Sequence, residues 1–191
     1  MNVLSKLYSI ISKFNNFIEL KKNCGGVNLG KKTKFHQAVS LWCDGKINIG
    51  ERCEFGFNYG GRFAFGMCEL QTRTNDSVIN IGNNVLTNNN LKIIARGTVD
   101  IGDDCLIGEN VTIMDHNAHG VKPSERRTSA GTVKDVIIGK NVWIGNNVTI
   151  LPGSIIGDNC ILAVGCVVKG NIPANVIVQG NPGVIVKNIN C

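Results

Sequence analysis

No run of about 18 uncharged apolar residues occurs in the chain, so no transmembrane helix is expected. Lys6, Lys13 and Glu19 interrupt the opening segment, which therefore lacks the apolar stretch of a signal peptide. The eight cysteines include no CxxC pair, which argues against a disulfide framework or a redox motif and for a reducing cytoplasm. Proline is scarce, at four residues, and there are only three histidines. No basic-and-aromatic groove motif accompanies the positive charge, so nucleic acid is not an expected partner.

What is abundant is glycine, 23 residues without a three-residue rhythm, which indicates many tight turns. The length suits one domain with a continuous core. The net charge of +6 is confined to one end. Residues 1–34 hold seven lysines against the single acid Glu19, leaving 13 basic and 13 acidic residues elsewhere. Such a segment is either a solubilising end or a patch attracted to an anionic membrane surface or a phosphate-bearing partner.

The main signal is an internal period. Ile138, Ile144, Ile150, Ile156, Leu162 and Val168 stand six apart, and all are aliphatic. Four residues after each of the first five come Val142, Val148, Ser154, Cys160 and Cys166, small or β-branched. The rhythm also runs through Ile101, Ile107 and Ile113, with Cys105 and Val111 in the small slots. Weaker copies occur at Ile49-Gly50, Phe55-Gly56 and Ile81-Gly82. A period of six is neither the 3.6 of a helix nor the two of a lone strand. It fits a short strand plus a turn, with both key positions pointing inward and polar pairs such as Asp103-Asp104, Asn146-Asn147 and Asp158-Asn159 at the turns. Three units make one triangular coil, and coils bury their faces on one another.

This pattern resembles the hexapeptide-repeat acyltransferase family. The resemblance implies an all-β fold, a left-handed parallel β-helix; the usual crossover rule alone would favour the right hand. The β-helix domain is expected over 27–187, with an inserted loop at 115–135. Residues 1–22 read as a separate short α-helix. Within 2–20, Leu4, Leu7, Ile11, Phe14 and Ile18 recur at helical intervals, giving an amphipathic helix that either caps the solenoid or lies at a membrane surface. Residues 55–73 break the register and carry Phe55, Phe57, Tyr59, Phe63 and Phe65, read as irregular core packing rather than a sugar-stacking surface.

The second break holds the candidate chemistry. Between Met114 and Val136 the sixes stop, and a polar loop opens with Asp115-His116-Asn117-Ala118-His119. Asn88-Asn89-Asn90-Leu91, this loop and Asn141-Val142-Trp143-Ile144-Gly145 together are similar to the galactoside, maltose and xenobiotic O-acetyltransferase branch. Ile172-Pro173-Ala174-Asn175-Val176 and Gly180-Asn181-Pro182 extend the likeness, which covers about residues 76–187. It implies transfer from acetyl-CoA to a sugar hydroxyl, with a histidine as general base. Xenobiotic-type members place that histidine eight residues beyond the valine of the preceding coil, an interval Val111 to His119 reproduces. His116 is the second candidate, and Asp115 is grouped with them. The branch's catalytic asparagine falls on Asn88. Its CoA contacts fall on Trp143, Asn146, Val164, Lys169 and Lys187, in a groove between subunits of a homotrimer. Two positions depart from the branch: Lys169-Gly170 replaces a threonine-lysine pair, and Val184 replaces an arginine.

No metal is expected, because His116-x-x-His119 and a distant His36 do not match the zinc carbonic anhydrases that share this fold. The remaining alternatives are N-acetylation of an amino sugar nucleotide and a non-enzymatic assembly solenoid. An isolated O-acetyltransferase with a basic, amphipathic start suggests decoration of a surface polysaccharide at the cytoplasmic face of the membrane.

Overall fold

The computed structural model describes residues 26–57 and 66–189. The expected helix at 2–20, and Tyr59, Phe63 and Phe65, lie outside the described residues. Short strands alternate with turns and fall into three sheets. The first sheet stacks Val27–Leu29, Lys46–Ile49, Val78–Ile81, Thr98–Ile101, Val136–Ile138, Ile155–Ile156 and Asn171–Ile172. The second stacks Lys34–Phe35, Glu54–Phe55, Leu86–Thr87, Leu106–Ile107, Trp143–Ile144, Ile161–Leu162 and Val176–Gln179. The third stacks Val39–Cys43, Cys68–Thr72, Lys92–Ala95, Thr112–Met114, Thr149–Ile150 and Val167–Val168. Successive strands visit the sheets in turn and every pairing is parallel, save that Val184–Asn188 closes the second sheet antiparallel to Val176–Gln179. The chain therefore winds as a three-sided parallel β-helix.

The period of six explains the interior. Ile138, Val142, Ile144, Val148, Ile150, Ile156, Leu162 and Val168 are all buried, so both key positions of each unit face the axis. Burying one such side chain contributes about 1.5–3 kcal/mol, and the column repeats it coil after coil. Cys105, Cys160 and Cys166 occupy small slots at full burial, as small hydrophobes do. Corners are tight enough to require glycine: a Cβ on Gly102 would stand 2.6 Å from the Gly139 carbonyl oxygen of the next coil.

Hydrogen bonds on the outside follow the same stacking. Down the first sheet Asn28 donates to Asn48, Asn48 to Asn80 and Asn80 to the Asp100 carboxylate, at 2.8, 2.7 and 2.6 Å. At the corner between the second and third sheets, Asn90 donates to Asn110 at 3.0 Å and Asn110 to Asn147 at 3.2 Å. Asn90, Asn110 and Asn147 all hold left-handed backbone angles, with φ of 61°, 58° and 58°, a region asparagine tolerates better than most residues. Their spacing also measures each coil. Partners stand 20, 18 or 16 residues apart in regular coils, but 32 and 37 where the chain makes its two excursions.

The first excursion carries the aromatic segment. Phe55 is fully buried and stacks on Phe35 with ring centroids 5.3 Å apart, whereas Phe57, beyond Gly56, is about half exposed. Core packing thus describes Phe55 and not Phe57. No helix among the described residues is long and apolar enough to cross a membrane.

The corner ladder yields a test of its contribution. Asn110→Ala removes two amide contacts and forces alanine into a left-handed conformation, a strain of about 1–2 kcal/mol by itself. Asn110→Gly loses only the contacts, about 1 kcal/mol. Urea unfolding should therefore rank wild type above glycine above alanine; equal stability of the two variants would show that backbone strain is irrelevant there.

Candidate active site

The second excursion leaves the third sheet after Met114 and returns to the first at Val136. Its neck is a short antiparallel clamp. His116 bridges Val133, Asn117 N–H donates to Thr132 O at 3.0 Å, and Lys134 N–H donates to Asp115 O at 2.7 Å. The Asp115 carboxylate anchors the clamp to the preceding coil, accepting Arg96 N–H at 2.9 and 3.1 Å and Gly97 N–H at 2.7 Å. It also lies 2.8 Å from His116 Nδ1. Asp115 and His116 are both buried, and His116 Nε2 has no hydrogen-bond partner among the described residues. A carboxylate that receives two backbone donors accepts from Nδ1–H as well, which fixes the His116 tautomer. His116 is therefore built into the neck.

His119 lies beyond the neck and is exposed. Its Nδ1 is 2.8 Å from the Arg126 carbonyl oxygen, just past the turn of 3₁₀ helix at Pro123–Glu125. A carbonyl only accepts, so Nδ1 carries the hydrogen and Nε2 is left with its lone pair facing out. Gly131 makes room for this arrangement at φ +73°: a Cβ there would stand 2.5 Å from His119 O and 2.8 Å from Asn117 Cβ. Of the two histidines, His119 alone offers a free basic nitrogen at the surface.

Asn88 sits on another corner. It follows a strand of the second sheet, and the loop follows a strand of the third. Asn88 shares a cleft of about 280 Å³ with Phe57, Leu106, Trp143 and Asn146. The Asn88 side-chain oxygen Oδ1 accepts Asn89 N–H at 2.7 Å, leaving the side-chain amide nitrogen to donate elsewhere. Trp143 is 55% exposed and stands in an outward row that continues through Ile161 and Ile177 to Lys187. Val164 lies one coil along the same corner, where the next residue, Gly165, donates to Asn146 O at 2.9 Å. Trp143, Asn146, Val164 and Lys187 thus share one side of the prism.

Lys169 does not join them. It follows the last strand of the third sheet and lines a second cavity, about 240 Å³, with Asn117, Thr132, Lys134, Leu151 and Pro152. Two residues beyond the sequence candidates emerge from these cavities. Phe57 lies in the cleft, and its signal is position: Gly56, at φ +84°, ends the strand between the inward Phe55 and the outward Phe57. Lys134 had no distinguishing mark in the sequence.

None of the described cysteines lies in the loop. Burial pushes the thiols of Cys68 and Cys105 up to about 11 from an ordinary 9.0, and raises those of Cys53, Cys160 and Cys166. No group of three or more metal-ligating side chains stands together among the described residues.

Two outcomes follow from these environments. Asp115→Ala strands two part-buried backbone donors and the His116 Nδ1–H, so chemical denaturation should show a loss of about 2–4 kcal/mol; a loss below about 0.5 kcal/mol would mean that the carboxylate does not hold the neck. The Cys68 and Cys105 thiols bind their protons more tightly in the folded chain, where their values are about 11, than in the unfolded one, near 9.0. Their contribution is therefore complete below pH 9.0 and is lost as pH rises through about 11. Cys68→Ala/Cys105→Ala should flatten the fall in unfolding free energy between pH 8.5 and pH 11, and an unchanged slope would assign that fall to other groups.

Comparison with known proteins agrees with this architecture. The family described as bacterial transferase hexapeptide (six repeats) matches residues 135–170, and the hexapeptide repeat of succinyl-transferase matches 98–122. An Escherichia coli (strain K12) protein named as a lipopolysaccharide biosynthesis O-acetyl transferase is 38% identical over 156 residues, covering 77% of this chain and 74% of its own. A maltose O-acetyltransferase from Clostridium difficile 630 superposes with a TM-score of 0.60 at 23% identity, over 99% of this chain and 90% of that one. A galactoside acetyltransferase in complex with coenzyme A superposes at 0.53, also at 23% identity, over 100% and 84%. The chain belongs to the hexapeptide-repeat acyltransferases, in the branch of the galactoside and lipopolysaccharide O-acetyltransferases, and is an acetyltransferase on a left-handed parallel β-helix.

Proposed function

We propose that the protein transfers the acetyl group of acetyl-CoA to a sugar hydroxyl during surface-polysaccharide assembly, by direct transfer with His119 as general base. The observation that carries this reading is the 2.8 Å contact between His119 Nδ1 and the Arg126 carbonyl oxygen. The Nδ1–H is tied to that carbonyl, so Nε2 is oriented and free to take a hydroxyl proton. His116 has no such freedom and serves as support for the loop, with Asp115 as its anchor.

The cleft fits coenzyme A. Exposed Trp143 and Phe57 offer apolar surface to its chain, Asn146 and Val164 line the corner, and Lys187 offers a positive charge in the Trp143 row. Bound there, acetyl-CoA supplies the activated acetyl group. The Asn88 amide nitrogen, freed by the contact to Asn89, is a donor for negative charge developing on the carbonyl oxygen. A cysteine acyl-enzyme is disfavoured, because the thiols of Cys53, Cys68, Cys105, Cys160 and Cys166 are buried and held protonated.

Within one protomer the base and the cleft occupy different corners. This supports a homotrimer in which the loop of one copy reaches the cleft of the next. The six described cysteines are free thiols, which supports a cytoplasmic setting.

His119→Ala should lower transfer about 10²–10⁴-fold while still binding acetyl-CoA by calorimetry. Asn88→Ala should also be impaired. Refolding the two variants together should restore activity at about a quarter of the sites, those pairing an intact loop with an intact cleft. Full activity of His119→Ala would remove it as the base. Absence of acetyl-CoA binding by the wild-type protein would overturn the transferase reading, and failure of the mixture to recover would overturn the shared site.

A further inference from the structure

The cavity beside the histidine loop differs from the cleft in kind. Two lysines line it, and neither Lys134 nor Lys169 has a carboxylate partner among the described residues. Both lysines are exposed, but the Lys134 backbone is fixed in the neck. Its N–H donates to Asp115 O at 2.7 Å and its carbonyl accepts Gly153 N–H at 3.0 Å. Its stem crosses the corner where a Cβ on Gly153 would come within 3.1 Å of Lys134 Cδ. The cavity's other polar wall is Asn117 and Thr132, joined through the backbone at 3.0 Å.

The nearby acids form no ion pair with these lysines. The Asp115 carboxylate is buried and saturated by Arg96, Gly97 and His116. Asp135 accepts Thr98 N–H at 2.9 Å, and Glu125 pairs with Lys122 at 3.1 Å. Arg126 and Arg127 add two more exposed cations to the same loop. Gly131 packs against the same stretch: a Cβ there would stand 2.8 Å from Asn117 Cβ, on the cavity wall, and 2.5 Å from His119 O. The cavity is therefore next to the loop that carries His119, through Asn117 two residues before it.

We propose that this cavity seats an anionic group, carboxylate or phosphate, on the acceptor, so that the preferred acceptor is an acidic saccharide rather than a neutral one. This rests on the transferase reading above and deepens it by naming the acceptor class. It also takes Lys169 from the donor to the acceptor, in keeping with its place away from the Trp143 row. Lys134 and Lys169 act as point charges, while Asn117 and Thr132 offer polar contacts at the cavity wall.

The test compares matched sugars on the full chain with coenzyme A saturating, so that any seat for the donor's own phosphates is already filled. Calorimetry measures binding of methyl glucoside and methyl galactoside, the corresponding uronides, and the corresponding sugar phosphates. The acids should bind at least tenfold tighter at low salt, with the advantage shrinking as ionic strength rises. Lys134→Gln and Lys169→Gln should each reduce that advantage several-fold, and in acetylation assays the change should fall on acceptor KM rather than on acetyl-CoA KM. Carboxylate and phosphate arms distinguish the two anion types. Equal binding of acids and neutral sugars overturns the proposal, as does a preference that survives both substitutions. A rise confined to acetyl-CoA KM would return the lysines to the donor and likewise overturn it. Acids that bind tightly without acetylation would leave the anion seat standing and defeat the transferase reading instead; rapid acetylation of neutral sugars alone would do the reverse.

Discussion

Everything in this molecule hangs on the parallel stacking of one coil upon the next. Each strand is only two to five residues long and has no hairpin partner until the very end of the chain. A two-residue strand such as Trp143–Ile144 persists because Leu106–Ile107 lies on one side and Ile161–Leu162 on the other. Stability therefore accrues through neighbours, as in other solenoids, and no coil buries its apolar face alone. The inward column and the outward amide ladders are two expressions of the same axial register.

That register also separates the fold from its chemistry. A 37-residue coil inserts the whole histidine loop between Met114 and Val136, yet Val99 still pairs with Val136 and Ile113 with Ile150. The core is indifferent to what happens at a corner as long as the chain returns in phase. Asp115 and Asp135 secure that return: both carboxylates take backbone N–H groups of the turn Arg96-Gly97-Thr98, one from each leg of the neck. The loop is thus anchored at its base by Asp115 and Asp135 and held farther out where His119 Nδ1 meets the Arg126 carbonyl oxygen, so the candidate base stands on a fixed support.

The period of six made the architecture legible, since inward positions recur at a spacing that neither helix nor lone strand shares. The turn asparagines were legible for a related reason, because left-handed angles restrict what can stand there. The site was legible only in part. Sequence distance from Val111 marks His119, but nothing in the sequence shows that Asp115 draws His116 inward, because that depends on pairing with Val133 across the loop. Lys169 follows Val164 by only five residues, and a solenoid converts those five into a move from one corner to the next. Proximity along such a chain is a poor guide to proximity in space. Lys134 was invisible for the opposite reason: its neighbours Leu151 and Lys169 arrive from later coils.

The amide ladder on the first sheet ends in a carboxylate, which accepts a hydrogen from Asn80 and has none to pass on. Directly past Asp100 the outward positions become Ile137 and Ile155, both more than 40% exposed. One continuous face is therefore two surfaces meeting at a wetting boundary. The amide half binds water as readily as it binds itself, so covering it gains little. The isoleucine half loses free energy while exposed and gains it back under any covering layer. Attraction on this face is thus graded along the axis, strongest at the level where the loop rejoins the coil.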